Sequence, residues 1–302
     1  MTAIDLGSNT IRFLNYDCKN KKEINSLEFI VRTAQDLHIS KNISDEATER
    51  IIDAILKAKN SIGIDSSIKA VATAAFRIAK NSKEVIQKIK SKTSIEFEII
   101  DADKEAEYTA LAMYSAVKRD FNQKSIFVLD IGGASTEIIY KDDKNIVSKS
   151  FDIGIVTSAN KFGGDENALI LSLEPMLNSI DLFIKDIASA YDFPEIFTAT
   201  SGTPTTLAAI KQGMTYYTYD KEKINSTMLS LKDINDAHSA LLKMNEDLRV
   251  QFVGSNRVDL VMCGVVIFKE ILKKTNYSQC VVYDDGLREG VAIAFCDDTQ
   301  KK

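Results

Sequence analysis

The sequence predicts a duplicated α/β protein, two halves each built on a sheet with helices packed against it, and three observations predict it. Apolar strand segments alternate with amphipathic helical segments along the whole chain, the pattern of layered α/β domains. With 302 residues, 45% hydrophobic and 27% charged, there is material for about two cores at the usual domain size of roughly 100–200 residues. Finally, Asp5-Leu6-Gly7-Ser8-Asn9-Thr10 returns as Asp130-Ile131-Gly132-Gly133-Ala134-Ser135, each time after one apolar strand and before another, so internal repetition weighs on the choice of fold.

The first half opens with a strand around Ala3–Leu6, a Gly7-Ser8-Asn9 turn and a second run from Ile11 to Tyr16, which together predict a hairpin. Ser44-Asp45-Glu46-Ala47 supplies an N-cap with acids in the first turn, leading into Ile51, Ile55 and Ala58 at helical spacing and ending near Gly63. A strand at Ile68–Thr73, a helix at Ser82–Lys90, a strand at Phe97–Ile100 and a helix at Lys104–Val117 follow. The second half repeats the opening with strands at Ser125–Asp130 and Glu137–Tyr140 around the glycine turn. It continues with a helix at Leu169–Tyr191, a strand at Ile196–Thr200, and Ser201-Gly202-Thr203-Pro204 opening a helix at Thr205–Ile210, proline suiting a first helical turn. A polar helix near Lys232–Met244, an apolar one at Val258–Lys273, a strand at Gln279–Tyr283 and a last helix from Leu287 complete it. The expected domains are 1–120 and 121–302, with the C-terminal helix, about 287–302, packing back onto the first. Two such halves, each with an acid and a glycine turn in its first hairpin, face naturally across one cleft. This is the actin-like arrangement (ASKHA, ribonuclease H-like), and a fold analogy alone gives no function.

Composition narrows the classes of partner. A net charge of −5 argues against a general binder of nucleic acid or anionic membrane, which needs a broad positive field; any polyanion must be held locally. Cys18, Cys263, Cys280 and Cys296 lack CxxC spacing and are expected to be reduced, structural thiols. The N-terminus enters a strand pattern at once, and the longest apolar stretch, Val258 to Phe268, is interrupted by Asp259 and too short for a membrane span. The expected location is cytoplasmic. His38 and His238 have no ligand-spaced companions, so zinc is not expected, and no GxxxxGK[ST] loop is present.

Several turns carry chemistry. Gly7, Ser8, Asn9 and Thr10 after Asp5 place backbone N–H groups and polar side chains around a tight turn, an anion-binding concavity or else a plain capped hairpin turn. Gly132, Gly133, Ala134 and Ser135 let the backbone approach a ligand, while Asp130 and Glu137 offer the hard oxygens that Mg²⁺ takes beside phosphate; Glu137 could equally be a solvated strand acid. Ser201, Gly202 and Thr203 lie between a strand and a helix, where amides and hydroxyls meet the positive end of the helix dipole, or simply cap it. Glu105, in a first helical turn whose apolar face is Ala106, Ala110, Met113 and Val117, is expected to point away from the core. It could deprotonate an attacking water, or serve only the dipole; Asp101, Asp103 and Glu107 compete for that role. Arg77 and Arg288 are candidate partners for phosphate charge, or for a neighbouring acid; Arg257, with Lys269, Lys273 and Lys274, could line one side of a cleft as a basic track for a polyanion, or simply be solvated.

Ile4-Asp5-Leu6-Gly7-Ser8-Asn9-Thr10, Ala72-Thr73-Ala74-Ala75-Phe76-Arg77, Asp130 to Glu137, Ser201-Gly202-Thr203 and Gly286-Leu287-Arg288-Glu289-Gly290 occur in the order of the exopolyphosphatase/guanosine pentaphosphate phosphatase (Ppx/GppA) family, which the chain resembles across almost its whole length. The resemblance implies an actin-like, two-domain, dimeric phosphatase of the short form that uses Mg²⁺, or Mn²⁺ in its place, to release terminal phosphate from polyphosphate or guanosine pentaphosphate. It implies Asp5, Asp130 and Glu137 near metal and phosphate, Arg12 and Arg77 as basic positions, and Glu105 as the base through a Glu-Ala motif. Two departures stand out. Ala134 occupies a position usually held by glycine, and Asp101-Ala102-Asp103-Lys104 replaces Ser-Gly-x-Glu ahead of Glu105. Competing readings are a phosphotransferase of the same superfamily, which would need a water-excluding acceptor pocket, and a non-catalytic sensor of guanosine tetra- or pentaphosphate.

Overall fold

Two sheets organise the chain. The computed structural model describes residues 1–64, 67–255 and 257–300, and these form two units: Met1–Ala112 together with the stretch from Gly286, and Met113–Asp285. In the first unit, β1 (Thr2–Leu6), β2 (Thr10–Asp17) and β3 (Lys22–Ile30) make an antiparallel meander. Helices α1 (Leu37–Ser40) and α2 (Asp45–Ser61) lead to β4 (Ile68–Ala72), α3 (Ala74–Ile78) and α4 (Ser82–Thr93) to β5 (Glu98–Ile99), and α5 (Ala102–Phe121) follows. The sheet order is β3-β2-β1-β4-β5, with β1 parallel to β4. Every residue of β1 is buried, as a central strand covered on both faces requires. In α2, the Ser44 hydroxyl accepts from Ala47 N at 3.1 Å, and Ile51, Ile55 and Ala58 form the buried stripe.

The second unit repeats the scheme. Strands β6 (Ser125–Ile131), β7 (Thr136–Asp142) and β8 (Ile146–Phe151) form the meander, and α6 (Ile155–Phe162) and α7 (Glu166–Ala190) precede β9 (Phe197–Thr200). Then come α8 (Gly202–Lys211), a 3-10 turn (Tyr216–Thr218), α9 (Lys221–Ile224), β10 (Thr227–Ser230), α10 (Leu231–Lys243), α11 (Glu246–Val253), α12 (Val258–Lys274) and β11 (Gln279–Val282). The order β10-β11-β9-β6-β7-β8 contains the order of the first sheet, with β6 antiparallel to β7 and parallel to β9, and adds one edge strand. The duplication read from the sequence is thus present in the topology, and the fold is the actin-like one. Strands β3 and β8 escaped the sequence reading because they are half-exposed, so neither shows the clean alternation that a one-sided strand displays.

The core of the second unit gathers around Phe127, whose ring meets Tyr140, Phe183, Phe193, Phe197 and Tyr277 at 5.7–6.5 Å. Helices α7 and α12 pack together beside it. By length and composition α7 is apolar enough to cross a membrane; here Leu173, Ile180, Ile184 and Ile187 are buried in the core. Val265 to Phe268 in α12 are fully buried, as expected of that apolar run. His238 in α10 bonds Glu166 at the start of α7, a structural tie.

Helix α13 (Leu287–Gln300) closes the first unit. Leu287, Val291, Ala292 and Cys296 join Ala3, Leu14, Tyr16 and Tyr108 in one cluster. Its approach to α5 is close: a methyl at Gly290 would fall 1.8 Å from the Tyr108 carbonyl oxygen. The expectation of four reduced thiols is corrected here, because Cys18 and Cys296 form a disulfide with Cα atoms 5.3 Å apart, while Cys263 and Cys280 are buried and outside any disulfide. A separation of 278 residues hides the pair from any spacing rule; the packing of α13 over the end of β2 creates it. Closing so long a loop restricts the unfolded chain, an effect usually of about 2–4 kcal/mol.

Candidate functional site

In the first unit the turn after β1 is pinned from inside and outside. Gly7 N donates to Thr10 O at 2.9 Å, Val31 N and Arg32 N both donate to Asn9 O, and Ala34 N donates to Ser8 O. The segment after β3 thus clamps the turn, and Arg32 takes a left-handed φ of 47° to do so. Asn9 is only 8% exposed, yet its Oδ1 has no partner. Since the two ends of an amide are assigned from their hydrogen bonds, a bound anion would turn the Nδ2 donor this way; an orphaned buried polar group of this kind fits a ligand site. Asp5 stands opposite Arg12 in the β1–β2 register, and Arg12 Nε donates to Glu28 Oε2 at 2.7 Å.

The second turn has the same internal bond, Gly132 N to Ser135 O at 2.9 Å, and is also clamped by the segment after the third strand. Ile155 N donates to Gly132 O, and Val156 N and Thr157 N donate to Gly133 O. The seam is so close that a methyl at Gly154 would lie 2.5 Å from Ala134 N and from Gly133 C. Gly154 belongs to the site by virtue of its size, and the sequence reading missed it; Asp152-Ile153-Gly154-Ile155, a lone glycine between apolar residues, was the available signal. Ala134 is 2% exposed, so its methyl is tucked into the protein.

The two turns differ where it matters chemically. Asp130 faces Glu137 across the β6–β7 register, the place where Asp5 faces Arg12. Side chains of directly opposed residues share one face of the sheet, with Cβ atoms about 5 Å apart. One copy therefore presents an acid beside a cation, suited to phosphate, and the other presents two acids. Glu137 is 3% exposed and accepts from Ser150 Oγ at 2.7 Å. Asp130 accepts a hydrogen bond from Ser201 Oγ, which links the second turn to the third.

Ser201 holds φ 75° and ψ 178°, a region costly for any residue with a side chain. It precedes α8, whose first-turn N–H groups have no intrahelical acceptor and suit an anion. The Arg257 guanidinium stands over this turn, its Nη1 3.7 Å from where a methyl on Gly202 would sit. Thr203 is 2% exposed, and its hydroxyl packs against the Cα of Gly264 in α12.

Glu105 lies in the first turn of α5, where Arg77 Nη1 binds its Oε2 at 2.6 Å and the Ile100 carbonyl at 3.1 Å. The carboxylate is 13% exposed. Its rivals are otherwise engaged or exposed. Asp101 accepts from Lys104 N as a helix cap, Glu107 pairs with Lys104, and Asp103 faces solvent. Arg288 is 7% exposed; its Nε donates to Glu289 Oε1, and Glu289 Oε2 accepts from Gly286 N.

The donor set around Asp130 fits Mg²⁺: two carboxylates and hydroxyls, all hard oxygens. Among the described residues no three His, Cys, Asp or Glu side chains cluster as ligands, so water and substrate oxygens would complete the shell.

The chain belongs to the Ppx/GppA phosphatase family, whose sequence model matches residues 18–298. It is 30% identical over 285 residues to the bifunctional 3-dehydroquinate synthase/phosphatase of Fusobacterium nucleatum, covering 89% of this chain and 42% of that one. It is 26% identical to the guanosine-5'-triphosphate,3'-diphosphate pyrophosphatase of Pseudoalteromonas translucida, over 96% of this chain and 58% of the relative. The chain thus spans only part of these relatives. Among solved structures, an exopolyphosphatase from Cytophaga hutchinsonii superposes with a TM-score of 0.84 at 25% identity, over 98% of this chain and 97% of the other. A family member from Aquifex aeolicus gives 0.71 at 24% identity, over 99% and 97%, and shows the shared fold.

Proposed function

We propose that this chain releases terminal orthophosphate from inorganic polyphosphate or guanosine pentaphosphate by Mg²⁺-assisted attack of water. The observation that carries the reading is the pairing of Asp130 with Glu137 in register, joined through Ser201 to the α8 N-terminus: hard oxygens for a metal sit beside amides for a phosphate. Bound Mg²⁺ would offset negative charge on the phosphate oxygens. The chain supplies the rest. In the second unit the amides of the Gly132–Gly133 turn and the start of α8 orient the phosphates and Arg257 adds positive charge over Gly202; in the first unit Glu105, held by Arg77, is the carboxylate proposed to accept the proton of the attacking water. The bond from the terminal phosphorus to its bridging oxygen breaks, and the shortened chain leaves with the electron pair.

The test is orthophosphate release from tripolyphosphate, longer polyphosphate and guanosine pentaphosphate, with p-nitrophenyl phosphate as a monoester control. The expected result is release from at least one phosphoanhydride and little from the monoester. Monoester cleavage alone would contradict the proposal, and nucleotide binding without release from any substrate would favour the sensor reading.

A further inference from the structure

We propose that Tyr216 and Tyr217 form a wall on which the base of a nucleoside polyphosphate stacks, with its phosphates on the Ser201–Gly202 turn. The inference rests on the phosphate role of that turn and deepens it, since it names a nucleotide, in preference to an inorganic phosphate chain, as the substrate class. The chain has 10 tyrosines. Seven are buried or half-buried, whereas Tyr216, Tyr217 and Tyr219 are 46%, 75% and 37% exposed within one short segment. Concentrating the exposed rings at one place calls for a partner, because large aromatic groups are otherwise buried for their apolar area.

The placement relative to the turn is specific. The Tyr216 ring lies on the bare Cα of Gly254, where an added methyl would meet Cε2 at 3.0 Å and Cδ2 at 3.1 Å. The Gly254 carbonyl accepts from Arg257 N at 3.2 Å, and the guanidinium of Arg257 stands over Gly202. Phosphate turn, cation, glycine and aromatic ring therefore follow one another within the second unit. Tyr217 meets Tyr216 edge to face, with centroids 5.7 Å apart and planes at 85°, so each ring fixes the other. A nucleobase offers a π-face to such rings, and Arg257 offers positive charge to the phosphates on the turn. Inorganic polyphosphate has no face to stack.

The experiment compares Tyr216→Ala/Tyr217→Ala and Tyr216→Phe/Tyr217→Phe with wild type, measuring KM and dissociation constants for guanosine pentaphosphate and for tripolyphosphate. The alanine pair is expected to weaken the nucleotide about tenfold or more, the usual scale for losing a stacked base, with tripolyphosphate moving less than about twofold and the phenylalanine pair staying near wild type. Equal loss for both ligands, or no loss for either, overturns the inference. Binding separates this idea from the hydrolase reading: if wild type turns over neither substrate but the alanine pair still loses nucleotide affinity selectively, the stacking wall stands and the hydrolase falls.

Discussion

Glu105→Gln is expected to slow phosphate release by about 100- to 10,000-fold, the range a positioned general base contributes, with KM little changed. Glutamine keeps the size of the side chain and an oxygen for the Arg77 bond now made at 2.6 Å, so what it removes is the capacity to take a proton. The neighbouring acids provide the contrast. Asp103→Asn and Glu107→Gln should stay within about threefold, because one faces solvent and the other is paired with Lys104. Single-turnover release from a saturating substrate isolates the chemical step. An unaffected Glu105→Gln enzyme, or a larger loss at Asp103, would move the base elsewhere.

Gly154→Ala is expected to lower kcat/KM about a hundredfold and the melting temperature by several degrees. The new methyl would sit 2.5 Å from backbone atoms of Gly133 and Ala134, and backbone cannot rotate aside as a side chain can. Either α6 retreats, losing the bonds from Ile155, Val156 and Thr157 to the turn, or the turn shifts. Overpacking of this kind costs roughly 1–3 kcal/mol, and a misplacement of about 1 Å at a reacting group can cost two orders of magnitude in rate. The φ of Gly154 is −138°, open to any residue, so the effect is one of volume. Gly164→Ala, at φ 93° but with nothing within 4 Å, is the control: it should affect stability through backbone strain and leave kcat/KM near wild type.

The strong local signals in the sequence were the ones that proved legible. Caps, helical stripes and glycine turns gave the order of elements, because they depend on residues within a few positions of each other. The repeat of Asp5-x-Gly in Asp130-x-Gly correctly anticipated two equivalent hairpins, and the structure shows why it could: the turns share the same internal bond and the same kind of clamp. What was hidden depends on partners far away in the chain. The Cys18–Cys296 disulfide, the Arg77–Glu105 pair and the Ser201–Asp130 bond join segments that only the fold brings together. Thr203 is a further case: the closeness of its hydroxyl to Gly264 is set by helix packing that no local pattern records.

Asp130 and Glu137 as ligands of a metal–phosphate site at the second turn require phosphate release to follow the magnesium concentration, which a titration measures. Wild type is expected to lose activity in EDTA and recover it with Mg²⁺, and Asp130→Asn to shift the half-activating concentration upward by about tenfold or more, as the loss of an ionised ligand implies. Activity that persists in EDTA, or an Asp130→Asn enzyme with an unchanged Mg²⁺ dependence, would contradict the account.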